Sequence, residues 1–114
     1  MKLTKQQAIE GHRKMWNWIA DEIERQKSEC CIHSLKDFYC SANNLNLRHN
    51  CFCCEYSNID CHGGEKCPLD WIETPHCCDN DSSLYHRVLW SESWQEQADL
   101  ARQISNLPER KDVE

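Results

Sequence analysis

Five cysteines fall in the seventeen positions from Cys51 to Cys67, in the run CFCCEYSNIDCHGGEKC. Thiols at that density are crosslinked to one another, gathered on a metal ion, or buried as small apolar side chains. Any of the three constrains the path of the middle of the chain, and the surroundings choose between them. The N-terminal MKLTKQQAIEGHRK becomes polar after three residues and offers neither an apolar stretch nor a small-residue cleavage site. A reducing cytosol is therefore expected, where clustered cysteines hold metal more often than they form disulfides. Zinc is the expected ion.

The spacing proposes the ligands. Cys51 and Cys54 form a C-x2-C pair, and two thiolates three residues apart on a tight turn both reach one zinc at about 2.3 Å. Cys67 is the third candidate, since the following Pro68 suits the first turn of a short helix, PLDW. The fourth is one of Cys61, Cys77 and Cys78. Cys53 falls between the paired ligands and is expected to point elsewhere. A second cluster, CCIHSLKDFYC, brings Cys30, Cys31, His33 and Cys40 near one another in sequence. It is open to a second metal, with plain burial as the alternative. His49, His62, His76 and His86 adjoin the main cluster and read as loop histidines.

All-thiolate coordination is the closed, structural kind, without an open position for water. Two metal-using enzyme patterns are also missing. No histidine has a glutamate two places on, as a zinc deaminase requires. DNDSSLYHRVLW, from Asp79 to Trp90, starts like a calcium loop but lacks its glycine and ends in tryptophan where the bidentate glutamate belongs. The chain is read as non-enzymatic.

Amphipathic helices flank the cysteines. Thr4 and Gln7 make a capping-box pattern, and Ile9, His12, Trp16, Ile19 and Ile23 then recur every three or four residues. A helix is expected over 4–27, with Met15 and Trp18 widening its apolar stripe and His12 half-buried for structural reasons. Ser93 and Glu96 open a second helix over 93–107, with Trp94, Ala98, Ala101 and Ile104 as its apolar line, Trp90 just before it and Leu107 after. Pro108 ends it, and 108–114 reads as a polar tail. SSLYHRVLW adds a short helix with Leu84, Tyr85, Val88 and Leu89 inward. Leu45 and Leu47 suggest a short strand or extended arm among turn-forming asparagines.

At 114 residues the whole, 1–114, is one domain. It is expected to be small and mainly α, its two terminal helices packed together around a zinc-stapled, irregular middle over 30–81. No apolar run approaches the roughly 18 residues of a membrane span.

Charge limits the partners. Residues 1–57 carry a net +1 and residues 58–114 a net −7. A four-thiolate zinc site would make the middle more negative still, which disfavours nucleic acid.

TKQQAIEGHRKMWNWIADE, CFCCEY, CPLDW and ARQISNLPER together resemble small cysteine-rich proteins encoded by phages and prophages of Gram-positive bacteria. The resemblance covers a little under half of the chain. In that family a C-x2-C is followed by C-x2-C-P-x-x-W and a later cysteine. Cys51, Cys54, Cys67 and one of Cys77 or Cys78 match. Gly64 breaks the second pair, a gap for which Cys61 is the candidate replacement. The resemblance implies a setting, the host cytosol during infection, rather than an activity. In that setting the expected role is an interaction protein that binds and modulates or inhibits a host protein, such as a defence factor. The alternatives are a sponge for a small nucleotide-type ligand, using His12, Arg13, Lys14 and Trp18, and a zinc-dependent nucleic-acid binder.

Overall fold

A computed structural model describes residues 3–47, 50–57, 68–69 and 84–109, and these are mainly helical. The helices are α1 (Lys5–Gln26), α2 (Ile32–Ala42), α3 (Phe52–Ser57), α4 (Leu84–Leu89) and α5 (Trp94–Ser105).

α1 starts where its capping residues require. Thr4 Oγ1 accepts the Gln7 amide at 3.1 Å, and Gln7 Oε1 accepts the Thr4 amide at 3.0 Å, which satisfies two N–H groups that the first turn leaves over. At the other end Lys27 turns left-handed, with φ 52°, and its N–H returns to Ile23 O. The expected stripe of Ile9, His12, Trp16, Ile19 and Ile23 is buried, with Ala8, Met15 and Ala20 beside it.

That stripe packs chiefly on α5. The two run antiparallel, as their side-chain ties establish. Lys5 pairs with Glu109 at 3.4 Å beyond the end of α5, and His12 and Arg13 reach the carbonyls of Ile104 and Leu107. Arg102 joins Asp21 and Glu24 toward the far end of α1. The Arg102 pairs are largely exposed, so each contributes about 0–1 kcal/mol and sets register more than stability. The buried apolar face carries the rest, at roughly 1.5–3 kcal/mol for each fully covered aliphatic or aromatic side chain.

Several expectations change. Trp90 is 74% exposed rather than part of the apolar line, and of the described tryptophans only Trp16 is fully buried. Of the short strand or extended arm expected at Leu45 and Leu47, the strand does not form; residues 45–47 are irregular, with Leu47 buried. Leu69 makes an isolated antiparallel bridge to Glu109 instead of a helical turn; Asp70 and Trp71 of PLDW lie outside the described residues. That bridge and the Lys5 pair tie down Glu109, within the stretch read as a polar tail; residues 110–114 lie outside the described residues.

α2 and α3 were not anticipated at all. α2 buries Ile32, Leu35, Lys36 and Cys40 along one face. The lysine in that stripe and the cysteines at its ends hide the period. Gln97 is another surprise, sitting 2% exposed on the apolar face of α5. Its Oε1 accepts the Cys30 amide at 2.8 Å, while Nε2 donates to Cys30 O at 2.8 Å and to Val88 O at 3.2 Å. One side chain thus ties the α1–α2 link and the end of α4 to α5.

Candidate functional site

α3 is six residues long and has two unlike faces. At 100° per residue, positions 52, 53 and 56 fall on one side and 51, 54 and 55 on the other. Phe52 and Cys53 are 7% and 3% exposed, while Cys51, Glu55 and Tyr56 are half-buried. The inner face lies on α1. There the Phe52 ring covers Gly11 so closely that a Cβ on that residue would sit 2.8 Å from Phe52 Cγ and nearer still to the ring edge. Gly11, a residue that ordinarily weakens a helix interior, has a packing role here. It supplies the space into which α3 docks.

Next to it is His12, 1% exposed. Nε2 lies 2.9 Å from Ile104 O, which can only accept, so Nε2 carries the proton and Nδ1 is an acceptor. Cys53 Sγ faces Nδ1 at 3.9 Å, a weak thiol contact that joins α3 to α1. His12 is therefore the pivot of three elements, receiving α3 on one ring nitrogen and holding the end of α5 with the other.

Burial pushes the His12 pKa below its usual value, outweighing the Ile104 carbonyl and the nearby Cys51, which favour the cation; Lys36 and Arg13 add repulsion. A pKa lower in the folded than in the unfolded chain means that the unfolded chain takes up the extra proton. The neutral ring's contribution is intact above the unfolded value of about 6.5 and is lost as pH falls below it. Urea unfolding should show stability dropping by up to ~1.4 kcal/mol per pH unit just below pH 6.5. His12→Gln, which keeps a donor for Ile104 O, should flatten that slope; an unchanged slope would assign it to other groups.

The other candidate ligands divide as follows. Cys61, Cys67, Cys77 and Cys78 lie outside the described residues, as do His49, His62 and His76. Cys54 is placed in α3 by its backbone, and its side chain also lies outside the description. α2 separates the members of the second cluster. Cys31, at its N-cap, and Cys40, near its last turn, are nine positions apart on one helix, or about 13 Å. Burial pushes the Cys40 thiol pKa up, and the nearby Cys51 adds to that shift. Cys30 points its thiol back to Ser28 O at 3.4 Å, and Cys31 and His33 are exposed. Cys31 has no full capping hydrogen bond, yet the Ser34 hydroxyl and amide still hold its thiol below the usual range. Among the described residues no group of three or more His, Cys, Asp or Glu side chains is placed to hold a metal ion.

The basic and aromatic residues of α1 also part company. His12 is inside, Arg13 donates to Leu107 O at 3.3 Å, and Lys14 is exposed. Trp18 turns toward α2, where its ring lies nearly parallel to Phe38 (5.9 Å between centroids, 10° between planes) and 5.5 Å from Tyr39. Phe38 is 62% exposed. In sequence Phe38 and Tyr39 lie between the cysteines of the second cluster, and only the fold brings them to Trp18 on another helix.

No family model, curated protein or solved structure matches the chain. Among the described residues no helix is long and apolar enough to cross a membrane.

Proposed function

We propose that the chain is a non-enzymatic, zinc-stabilised accessory protein of phage type that binds and modulates a host protein in the bacterial cytosol. The observation that carries the interaction role is the Trp18–Phe38–Tyr39 patch. Phe38 spends a large apolar side chain in water, stacked on Trp18 from a neighbouring helix. Rigid aromatic groups of this kind are the side chains that anchor protein interfaces. The division of Arg13, Lys14 and Trp18 among different surroundings gives the nucleotide-sponge alternative less support.

The metal half of the proposal rests on α3. Phe52 and Cys53 occupy the core, Cys51 is half-buried, and position 54 follows one helical turn after Cys51. That arrangement suits a C-x2-C pair presented to thiolates from the next segment. Cys51, Cys54 and Cys67 would hold the ion, with one of Cys61, Cys77 and Cys78 as the fourth ligand. Zinc would supply a crosslink between loops and no chemistry.

The test is a comparison of wild type with Phe38→Ser in affinity purification from infected cells. A host protein retained by wild type should be lost with Phe38→Ser at an unchanged melting temperature, because an exposed ring contributes little to folding. A partner retained equally by both proteins would move the contact elsewhere. The acids of the middle, Asp60, Glu65, Asp70, Glu73, Asp79 and Asp81, would then be the next candidates.

A further inference from the structure

We infer that His12 is an acid-sensitive latch: on taking up a proton it lets α3 come off α1 while α5 stays in place. The geometry sets up this asymmetry. The ring is 1% exposed and stands between the two helices, with Nε2 2.9 Å from Ile104 O and Nδ1 facing Cys53 Sγ at 3.9 Å. A second proton goes to Nδ1, because Nε2 already carries one. On the α5 side nothing is lost, since Nε2–H still donates to Ile104 O and does so more strongly from a cation. On the α3 side the acceptor becomes a donor, and the sulfur it faces is a weak acceptor.

A buried cation needs water or a counter-charge. Arg13 on the same helix and Lys36 of α2 repel it, and Cys51 of α3 favours it only as a thiolate. α5 offers the Ile104 carbonyl, its Arg102 being engaged farther along with Asp21 and Glu24. Water reaches the ring through the weaker cover. α5 is twelve residues long and capped by Ser93, whereas α3 has six residues and is too short to persist alone. Beside His12, α3 is held by Phe52 over Gly11 and by the Cys53 contact. Opening it hydrates Nδ1 and leaves the α1–α5 pair closed, the local kind of opening that short, lightly packed segments undergo. Mild acid thus uncovers Phe52 and Cys53. The sign follows from linkage: burial lowers the ring's pKa from 6.5 in the closed form, so the open form binds the proton more tightly and falling pH favours it.

The test is hydrogen exchange of the whole protein, read peptide by peptide from pH 7.5 to pH 5.5 and corrected for the intrinsic pH dependence of exchange. Opening of residues 50–57 should rise about tenfold across that range, as uptake of one proton per opening below pH 6.5 requires, while residues 97–104 change less than about twofold. His12→Gln, which keeps a donor for Ile104 O and does not titrate, should hold residues 50–57 constant. The link is reciprocal, so Phe52→Leu, by loosening α3, should move the His12 ring titration followed by NMR up toward the free value of about 6.5. That measurement carries the test if His12→Gln does not fold, and an unmoved titration would count against the latch. α3 exchange that stays flat with pH would overturn the inference. So would an equal rise in α5, which would mean global unfolding, or a rise that persists in His12→Gln, which would assign the opening to other groups such as the thiols.

Discussion

Cys54→Ser is expected to release the metal and unfold the middle of the protein, whereas Cys53→Ser, one residue away, should leave the metal in place. The contrast follows from the burial of Cys53 beside His12 and from the ligand role proposed for Cys54. In the proposed site Cys54 is one of four thiolates, and its loss would remove binding free energy that is also folding free energy. For structural zinc that energy is on the order of 10 kcal/mol, comparable to the whole stability of a domain this size. Cys53 is buried against His12, and a hydroxyl there still faces the Nδ1 acceptor. The expected cost is about 1–2 kcal/mol. Elemental analysis should find about one zinc per wild-type chain and less than a tenth of that in Cys54→Ser. Equal metal loss in both variants, or a wild-type protein that keeps its melting temperature in excess chelator, would show that the C-x2-C pair has been misassigned.

The second large effect belongs to Gln97. Gln97→Met keeps the volume and removes the amide, which leaves the Cys30 amide, the Cys30 carbonyl and the Val88 carbonyl without the partner they now share. An unmet buried backbone group costs about 1–3 kcal/mol, and Cys30 is only half-buried, so a loss of roughly 2–4 kcal/mol is expected. Gln97→Glu separates the polar effect from packing. A carboxylate still accepts the Cys30 amide but faces two carbonyl oxygens, which raises its pKa above the unfolded value. A raised pKa stabilises the variant below the unfolded value and loses that benefit as pH rises through the folded one. Gln97→Glu should accordingly lie closer to wild type at pH 4.5 than at pH 7.5 in chemical denaturation. If Gln97→Met melts within about 2 °C of wild type, the amide is not the tie described here.

The legible parts of the chain were those where one signal acted alone. Thr4 and Gln7 bounded α1 to within a residue, since a capping box is a local hydrogen-bond pattern that needs no tertiary partner. Ser93 did the same for α5, where its hydroxyl accepts the Glu96 amide at 3.1 Å. α2 was hidden because its inner face mixes Ile32 and Leu35 with a buried Lys36, whose ammonium lies 4.9 Å from the centre of the Tyr85 ring. Tyr85 is 49 positions away, and no local pattern announces such a contact. α3 was hidden by its shortness and by a cysteine, Cys53, that packs as a small apolar residue. The tight turn expected for Cys51 and Cys54 is a helical one, and its direction is set by Phe52 meeting Gly11. Gln97 was passed over for a related reason: glutamine is usually exposed, and only its three distant partners make it a core residue.

The antiparallel pairing of α1 and α5 also governs the order in which the protein can form. His12 and Ile104 are 92 positions apart, so the central helix pair is a contact of very long range. During synthesis from the N-terminus, α1 emerges first, with Ile9, Met15, Trp16, Ile19 and Ile23 uncovered. Its principal cover is not made until nearly all the remaining chain has followed. Closing so long a loop is entropically costly and comes late, and until then an apolar helix face stays open to chaperones or to other nascent chains. The intervening cysteines are made in that interval, so a metal captured by them early would shorten the loop left to close. Metal supply would then change the rate at which the helices meet as well as the stability of the finished fold.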